Sequence, residues 1–306
     1  MGFPIPQLTF RLQRLPPSLT YTLWLPSLET LILRAAEAWS ICERLVPGTG
    51  PLIRIQRESD LAFLDVGSES NGLLDVSAVV SFCTPGGIPT NGWCRRLYGQ
   101  VHGGLLLSNP LVPTSLPLIY SEITGLQLLG GQPCVTLDGV NDAFSRDPDS
   151  ASGMAGVTDA TVAAVVSRTA GTGIPIGFGT NAPGEAFQLQ AEAATTLRLG
   201  FGGSFRDFAA PDLADGLPHQ LVGMLAAGAQ IGTAEARQDG VALSQSGVLN
   251  PTSTTNYGNT ATRVGSSLGG ASFWNGRISE IVLWPEILDS EDLAVWDAHC
   301  ANRFGI

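Results

Sequence analysis

The sequence contains no lysine: all 16 basic residues among its 306 are arginines. Charge of either sign is scarce, at 14% of the chain against about 25% in an average globular protein. Acids outnumber bases 27 to 16, for a net charge of −11. Nucleic acid requires a basic face, so composition argues against it as a partner and also disfavours an anionic membrane surface. No run of about 18 apolar residues exists, so no helix is expected to span a bilayer. Histidine occurs only at His102, His219 and His299. There is no CxxC and no His/Cys spacing that would hold zinc, so neither a metal nor a cofactor is expected. No fixed-period repeat is visible, which excludes a solenoid.

Targeting signals are equally thin. Residues 18–28, SLTYTLWLPSL, follow Arg11 and Arg14 and faintly resemble a secretory leader, but Pro26, Glu29 and Arg34 interrupt the apolar stretch. Pro6 stands where a myristoylation motif requires Ser or Thr. Five cysteines cannot all pair. Cys83 and Cys94 flank the loop TPGGIPTNGW and read either as a disulfide or as two reduced, half-buried thiols. Cys42, Cys134 and Cys300 fall in helix or strand patterns and read as core.

What the chain does have is turn formers: 37 glycines and 20 prolines. Few charges and many corners suit an all-β protein. After residue 115, short alternating or apolar segments follow one another, among them QPCVTLDG, ATVAAVVS, IPIGFG, AFQLQAE, TTLRLGFGG, HQLVGMLAA and ISEIVLW. Asp239-Gly240 marks a hairpin. Upstream, a helix is predicted over 28–45, with Ser27 as cap and Leu31, Ala35, Ala38, Ile41 and Leu45 as its stripe. Strands are predicted over 51–57 and 61–67, and a short helix over 76–83 capped by Asp75. At the end, Asn275-Gly276 turns into an alternating strand, and Asp289 caps a helix over 290–303. Leu293, Trp296 and Cys300 share one helix face, so Trp296 should be buried, as should Trp284. Gly305 reads as the C-terminal cap.

Residues 1–27 stand apart, with five prolines, two arginines and no acid. Phe3, Phe10, Tyr21 and Trp24 make this an apolar segment too Pro-rich for a core, and it reads as an extended docking arm.

The closing stretch NGRISEIVLWPEILDSEDLAVWDAHCANRFGI resembles the last strand and helix of concanavalin A-like, laminin-G-type sandwiches. DGLPHQLVGML (215–225) and VTLDGVNDAF (135–144) resemble two further strands of that fold. GPLIRIQRESD, GLLDVSAVVSFC and WCRRLYGQVHGGLLLSNP resemble, in order, the N-terminal part of the arabinofuranosidase B catalytic fold. Together these cover about residues 35–306. The fold implied is mainly β, an antiparallel concanavalin A-like jelly-roll sandwich with short peripheral helices and an N-terminal arm. The expected divisions are 1–27 for the arm, 28–115 for the arabinofuranosidase B-like segment packed on the sandwich, and 116–306 for the laminin-G-like sandwich.

The resemblance also carries an expectation about chemistry. Where relatives read Y-D-Q-S-G-N-G, this chain has Tyr98-Gly99-Gln100-Val101-His102-Gly103-Gly104, so the aspartate is replaced by Gly99. Retaining glycosidases need two carboxyls about 5–5.5 Å apart. Glu192, in AFQLQAE, lies near the position implied for the nucleophile. The stretch implied for the general acid, TRVGSSLGGASFWNG, offers Ser266 and Ser267 and no carboxylate. No catalytic residue is therefore assigned, and hydrolysis is not expected. Glu192, Gln100, His102 and Asp142 remain as candidate glycan-binding residues. Asp138 and Asp142 read as turn-stabilising residues rather than metal ligands, and His219 as a packed strand histidine.

This domain pair also occurs in phage tail and head-surface proteins. The resemblance thus implies a virion structural or attachment protein of tail-fibre, tailspike or capsid-decoration type. It would bind other virion proteins through residues 1–27, host-surface carbohydrate through the sandwich, and further copies of itself. The alternatives are an arabinofuranosidase-type hydrolase and a secreted carbohydrate-binding module.

Overall fold

The computed structural model describes residues 27–108, 116–146, 154, 159–179, 186–201, 203–226, 230–250 and 261–306. The docking arm expected over 1–27 lies outside them except for Ser27. The chain opens with helix α1 (Leu28–Leu33), strands β1 (Glu37–Ser40), β2 (Ile53–Arg57) and β3 (Phe63–Val66), helix α2 (Val76–Cys83), and strands β4 (Gly92–Tyr98), β5 (Leu105–Ser108) and β6 (Leu118–Ser121). Short strands β7 (Gly125–Leu126), β8 (Leu128–Leu129) and β9 (Gln132–Pro133) lead to β10 (Val135–Asp138), β11 (Phe144–Arg146), β12 (Ala160–Arg168), β13 (Gly173–Gly179), β14 (Ala186–Ala193), β15 (Thr196–Phe201) and β16 (Ser204–Ala209). Then come β17 (His219–Leu225), β18 (Glu235–Gln238), β19 (Val241–Ala242), β20 (Ser244–Leu249), β21 (Ala261–Val264), β22 (Asn275–Trp284) and helix α3 (Ser290–Phe304).

All described pairings are antiparallel. The back sheet runs β19–β18–β17–β12–β22, with β1 and β10 sharing the far edge of β22. The front sheet runs β20–β16–β15–β14–β13–β21–β11–β5–β4–β2–β3. Strand β6 pairs with both β4 and β10 and joins the two sheets on one side. The sheets pack face to face. A Cβ on Gly223 of β17 would come within 2.6 Å of Leu199 Cδ2 on β15, so glycine here lets the layers close. The fold is the mainly β, antiparallel sandwich with short helices that the sequence predicts.

Helices α1 and α3 form a third layer behind the back sheet, whose strands are thus buried on both faces. In β12, Val162, Ala164 and Val166 face the front sheet, whereas Ala163 and Val165 face the helices. Trp284 meets Trp296 of α3 edge-on, with ring centroids 5.7 Å apart, and its Nε1 donates to Leu31 O of α1. Asp289 caps α3 by accepting from Glu291 N and Asp292 N, and Gly305 ends it in the left-handed region at φ 76°.

The helix expected over 28–45 is corrected. It ends at Leu33, and Glu37–Ser40 becomes β1, paired with Glu280–Leu283 of β22. The cause is burial on both faces. Every residue of β1, Glu37-Ala38-Trp39-Ser40, is buried whether polar or apolar, so its four positions mark no inner and outer face, and a 3.6-residue stripe fits them by accident. The open question at Cys83 and Cys94 resolves to thiols. All five cysteines are free and buried, and burial pushes each thiol pKa up.

Trp296 is fully buried between β22 and α1. Trp296→Ala should destabilise the protein by about 3–5 kcal/mol. Urea unfolding followed by far-UV circular dichroism measures this; a change below about 1 kcal/mol would show that the helix layer is not packed as described.

Candidate functional site

The front sheet turns its second face to solvent. Along β14, Phe187, Leu189 and Ala191 point into the core, so Gln188, Gln190 and Glu192 point out. Register places Gln190 opposite Arg198 on β15, and Arg198 opposite Asp207 on β16. Arg198 grips Asp207 with both prongs, Nε–Oδ1 at 2.7 Å and Nη2–Oδ2 at 3.0 Å, and its Nη1 lies 3.1 Å from Glu192 Oε1. Its guanidinium also lies over the Phe205 ring, 3.7 Å from the centroid. Amides, a guanidinium, two carboxylates and a ring edge thus share one half-exposed surface.

The segment 265–274 folds over β13 beside this surface. Gly265 N donates to Pro175 O and Ile174 N to Ser272 O, tying the loop to the strand. The outward positions of β13 are Gly173, Pro175, Gly177 and Gly179, which leave room for it. A Cβ on Gly177 would sit 3.0 Å from Gln188 Cγ and 3.6 Å from Leu268 Cγ. The loop carrying Ser266 and Ser267 therefore meets β14 at Gln188. Glu192 lies four residues further along, about 13 Å by strand rise. Ser266 is buried, its hydroxyl donating to Ser267 O, and Ser267 Oγ accepts from Ala271 N. No residue of 265–274 is an acid.

Glu192 does have a second carboxylate near it, Asp207, but both bind one guanidinium. Arg198 fills the space between them that a glycosidic bond would need. The surface presents hydrogen-bond donors and acceptors side by side, with both nearby carboxylates held by one guanidinium.

The other three sequence candidates lie elsewhere, and no described hydrogen bond or ion pair links any two of the four. Gln100 is committed to the backbone, accepting from Leu45 N at 2.6 Å and donating to Glu43 O at 2.9 Å. His102 is exposed at φ 54°, on the tip of the Gly99–Gly104 corner. That corner is clamped to β1: Trp39 Nε1 and Gly99 N both donate to Gly104 O, and Gln100 N donates to Ala38 O. A Cβ on Gly99 would fall 2.3 Å from Gly104 O, so an aspartate at 99 is incompatible with this closure. Asp142 is 5% exposed in the turn after β10, where its Oδ2 accepts from Asp138 N at 3.0 Å. Burial first, and the nearby Asp138 charge second, push its carboxyl up to about 7. His219 is held between Asp239 and Asp215, at 2.8 and 3.1 Å. Burial alone would lower its pKa, but the two carboxylates outweigh that and raise it.

Sequence reasoning missed Gln188, Gln190, Arg198, Phe205 and Asp207. Strand alternation gives each strand's outward phase, but only the register of β14, β15 and β16 shows that the outward residues converge.

No protein-family profile and no curated protein matches the chain. Solved structures do resemble it in fold. A GH54 α-L-arabinofuranosidase soaked with 4-nitrophenyl α-L-arabinofuranoside superposes with a TM-score of 0.62 at 14% identity, over 87% of this chain and 62% of that one. An arabinofuranosidase complexed with arabinofuranosyl-α-1,2-xylobiose gives 0.58 at 16% identity, over 87% and 61%. The chain thus spans about three fifths of the length of these arabinofuranosidases. At such identities the likeness is one of fold, a β-sandwich shared with glycoside hydrolases.

Asp142 generates a pH prediction. Its folded pKa is raised, so the folded state holds a proton that the unfolded chain releases near pH 4. This group's contribution to stability is therefore full below about pH 4 and is lost as pH rises towards 7. Asp142→Asn keeps an oxygen for Asp138 N and removes the charge. The variant should lose less stability than the parent between pH 5 and pH 8 in urea unfolding. An identical loss in both would show that Asp142 titrates normally.

Proposed function

We propose that this protein is a glycan-binding attachment module with a glycosidase-type sandwich and no hydrolytic activity, carried on a phage particle. One observation carries the binding reading: Arg198 occupies the gap between Glu192 and Asp207 on a solvent-facing sheet rich in amides. Sugars present clustered hydroxyls, each able to donate and accept. Gln188 and Gln190 match that pattern, Arg198 supplies N–H donors, and Glu192 and Asp207 supply acceptors. Gln188 Oε1 is buried and accepts no hydrogen bond, leaving an acceptor without a donor beside the loop.

The fold neighbours suggest where a ligand search should begin. Arabinose-substituted xylo-oligosaccharides are the first to test, followed by a panel of bacterial surface glycans. Calorimetric titration should detect binding that Arg198→Ala weakens about tenfold or more, since hydrogen bonds to a charged group contribute about 1.5–3 kcal/mol. No 4-nitrophenol should be released from 4-nitrophenyl α-L-arabinofuranoside. Failure to bind any glycan of the panel, or hydrolysis that disappears in Glu192→Gln, overturns the reading.

The particle context rests on residues 1–27 and on the resemblance to phage surface proteins. Alternating Leu8–Leu12 and Thr20–Leu25 could add strands to a partner's sheet edge, and five prolines reduce the entropy of ordering. Deleting 1–27 should leave a cooperatively folding, glycan-binding sandwich that is absent from purified particles by mass spectrometry. Incorporation of the truncated chain, or a sandwich that unfolds without the segment, overturns this part. A secreted location is the competing outcome, recognised by the chain in cell-free medium and not in particles.

A further inference from the structure

Behind the back sheet, away from the polar face, four donors of the zinc-binding kind converge. Glu280 lies in β22 with its side chain on the helix-facing side, and Cys42 and Glu43 follow β1, which pairs with that same stretch. His299 comes from the third turn of α3. Its Nε2 is 2.8 Å from Glu280 Oε2 and 3.7 Å from Glu43 Oε1. Cys42 Sγ is 3.2 Å from Glu280 Oε1. Cys42, Glu43 and Glu280 each bring one donor atom within 4.8 Å of the others.

We infer that Cys42, Glu43, Glu280 and His299 form a binding site for a zinc-class divalent transition ion. Zinc binds thiolate sulfur at about 2.3 Å and imidazole or carboxylate atoms at about 2.0–2.2 Å, so the edges of its coordination tetrahedron are about 3.3–3.8 Å. The Cys42–Glu280 and His299–Glu43 spacings, 3.2 and 3.7 Å, lie close to that range; His299 stands beside the three-donor group of Cys42, Glu43 and Glu280 and must turn towards Cys42 to complete the shell. A mixed set of one thiolate, one imidazole and two carboxylates suits zinc or cobalt rather than calcium or magnesium, which take oxygen alone.

The surroundings fit. Gln100 holds the backbone on both sides of Arg44, through Glu43 O and Leu45 N, and so fixes where Glu43 points. Ser40 Oγ donates to Glu280 Oε1 at 2.9 Å, an outer partner that orients a ligating carboxylate. The Trp296 ring lies against His299, with centroids 5.2 Å apart. An ion can enter, because Glu43 and His299 line a cavity of about 670 Å3 together with Leu28, Ala294, Val295 and Arg303. Arg303 Nε sits 3.0 Å from Glu43 Oε1, the same oxygen that faces His299, and would give up or share that carboxylate when the ion binds. Loading is balanced by two protons: M2+ displaces the Cys42 thiol proton and the Nε2 proton of His299, and both leave to solvent. The four ligands are scattered over positions 42, 43, 280 and 299, so no sequence spacing announces them.

Cobalt reports the site directly. Titrating Co2+ into the full, reduced, chelator-treated chain should produce a near-UV thiolate-to-cobalt band and intense visible bands of a four-coordinate ion, both reversed by Zn2+. Cys42→Ser should abolish the thiolate band, His299→Gln should weaken binding at least tenfold, and Cys83→Ser should change neither. Independently of any variant, saturating Zn2+ should raise the unfolding midpoint of the parent chain by about 5 °C or more. The inference is overturned if stoichiometric Co2+ gives no thiolate band, if the band survives Cys42→Ser, or if Zn2+ leaves the midpoint unchanged. Any of these outcomes assigns the four residues to a closed ion-pair network.

Discussion

Strand β22 is enclosed on all sides, and the rest of the protein is arranged to enclose it. Strand β12 pairs along one edge, and β1 and β10 divide the other. Ile281 and Leu283 press into the core shared with the front sheet, and Val282 and Trp284 into the core shared with the helices. No polar side chain can rest unpaired in such a strand. Glu280 nevertheless stands in its middle with 1% of its surface exposed. Its cost falls on the neighbours: Ser40, Cys42 and His299 all donate to it. Burial alone would raise the Glu280 pKa, but the charge and hydrogen bond of His299 outweigh that and lower it. The position of α3, and of the chain after β1, is set by this need as much as by apolar packing.

The absence of lysine has its counterpart in how the arginines are used. Arg34 holds Asp292 by both prongs at 2.9 Å and Glu286 by Nε at 2.8 Å. Arg198 holds Asp207 the same way and reaches Glu192. Arg146 pairs with Glu37 at 2.8 Å inside the sandwich, where Thr262 Oγ1 also donates to Glu37. A compact ammonium on a flexible stem makes such forked contacts poorly. With few charges in the chain, guanidinia such as those of Arg34 and Arg198 fix two groups at once, and Arg34 ties α1 to α3 this way.

A wet side made some elements legible in the sequence, and length made others so: β12 and β17 were read as strands although every residue of both is buried. Helix α3 has a wet side, so its stripe of Leu293, Trp296 and Cys300 and its two caps were readable. Helix α2 and some strands of the front sheet, among them β2, β14 and β15, were readable for the same reason, whereas β16, β20 and β21 were not read. Strand β1 is only four residues long, and the helix-spaced apolar positions Ala35, Ala38 and Ile41 run across it, so it looked helical. The candidate site was the least legible part. Ser266 and Ser267 could be placed only through a family resemblance, and nothing local showed that their loop would rest on β13 at Gln188. Glu192 was visible as a carboxylate, but its bond to Arg198, six residues on, needed the β14–β15 register. Gln100 was read as a candidate glycan-binding residue, and nothing local showed that its side chain would bond the backbone at 43 and 45, more than fifty positions away.

The corner at 98–104 and the polar sheet face bear on chemistry through one shared consideration. Hydrolysis requires two carboxyls across an unfilled gap, whereas binding tolerates many arrangements of donors and acceptors. At the corner, Gly104 O receives both Gly99 N and Trp39 Nε1 and leaves no space for a Cβ at 99. An aspartate could return there only if the backbone moved away from β1, which would disturb the strand paired with β22. On the sheet face, a guanidinium stands where a substrate bond would lie, and the adjoining loop offers hydroxyls already spent on its own backbone. These are separate features in separate places, and no described contact couples one to the other. The sheet face is half-exposed, and its polar groups are held in register by the backbone ladders of β14, β15 and β16, the kind of preorganisation that lowers the entropy cost of binding.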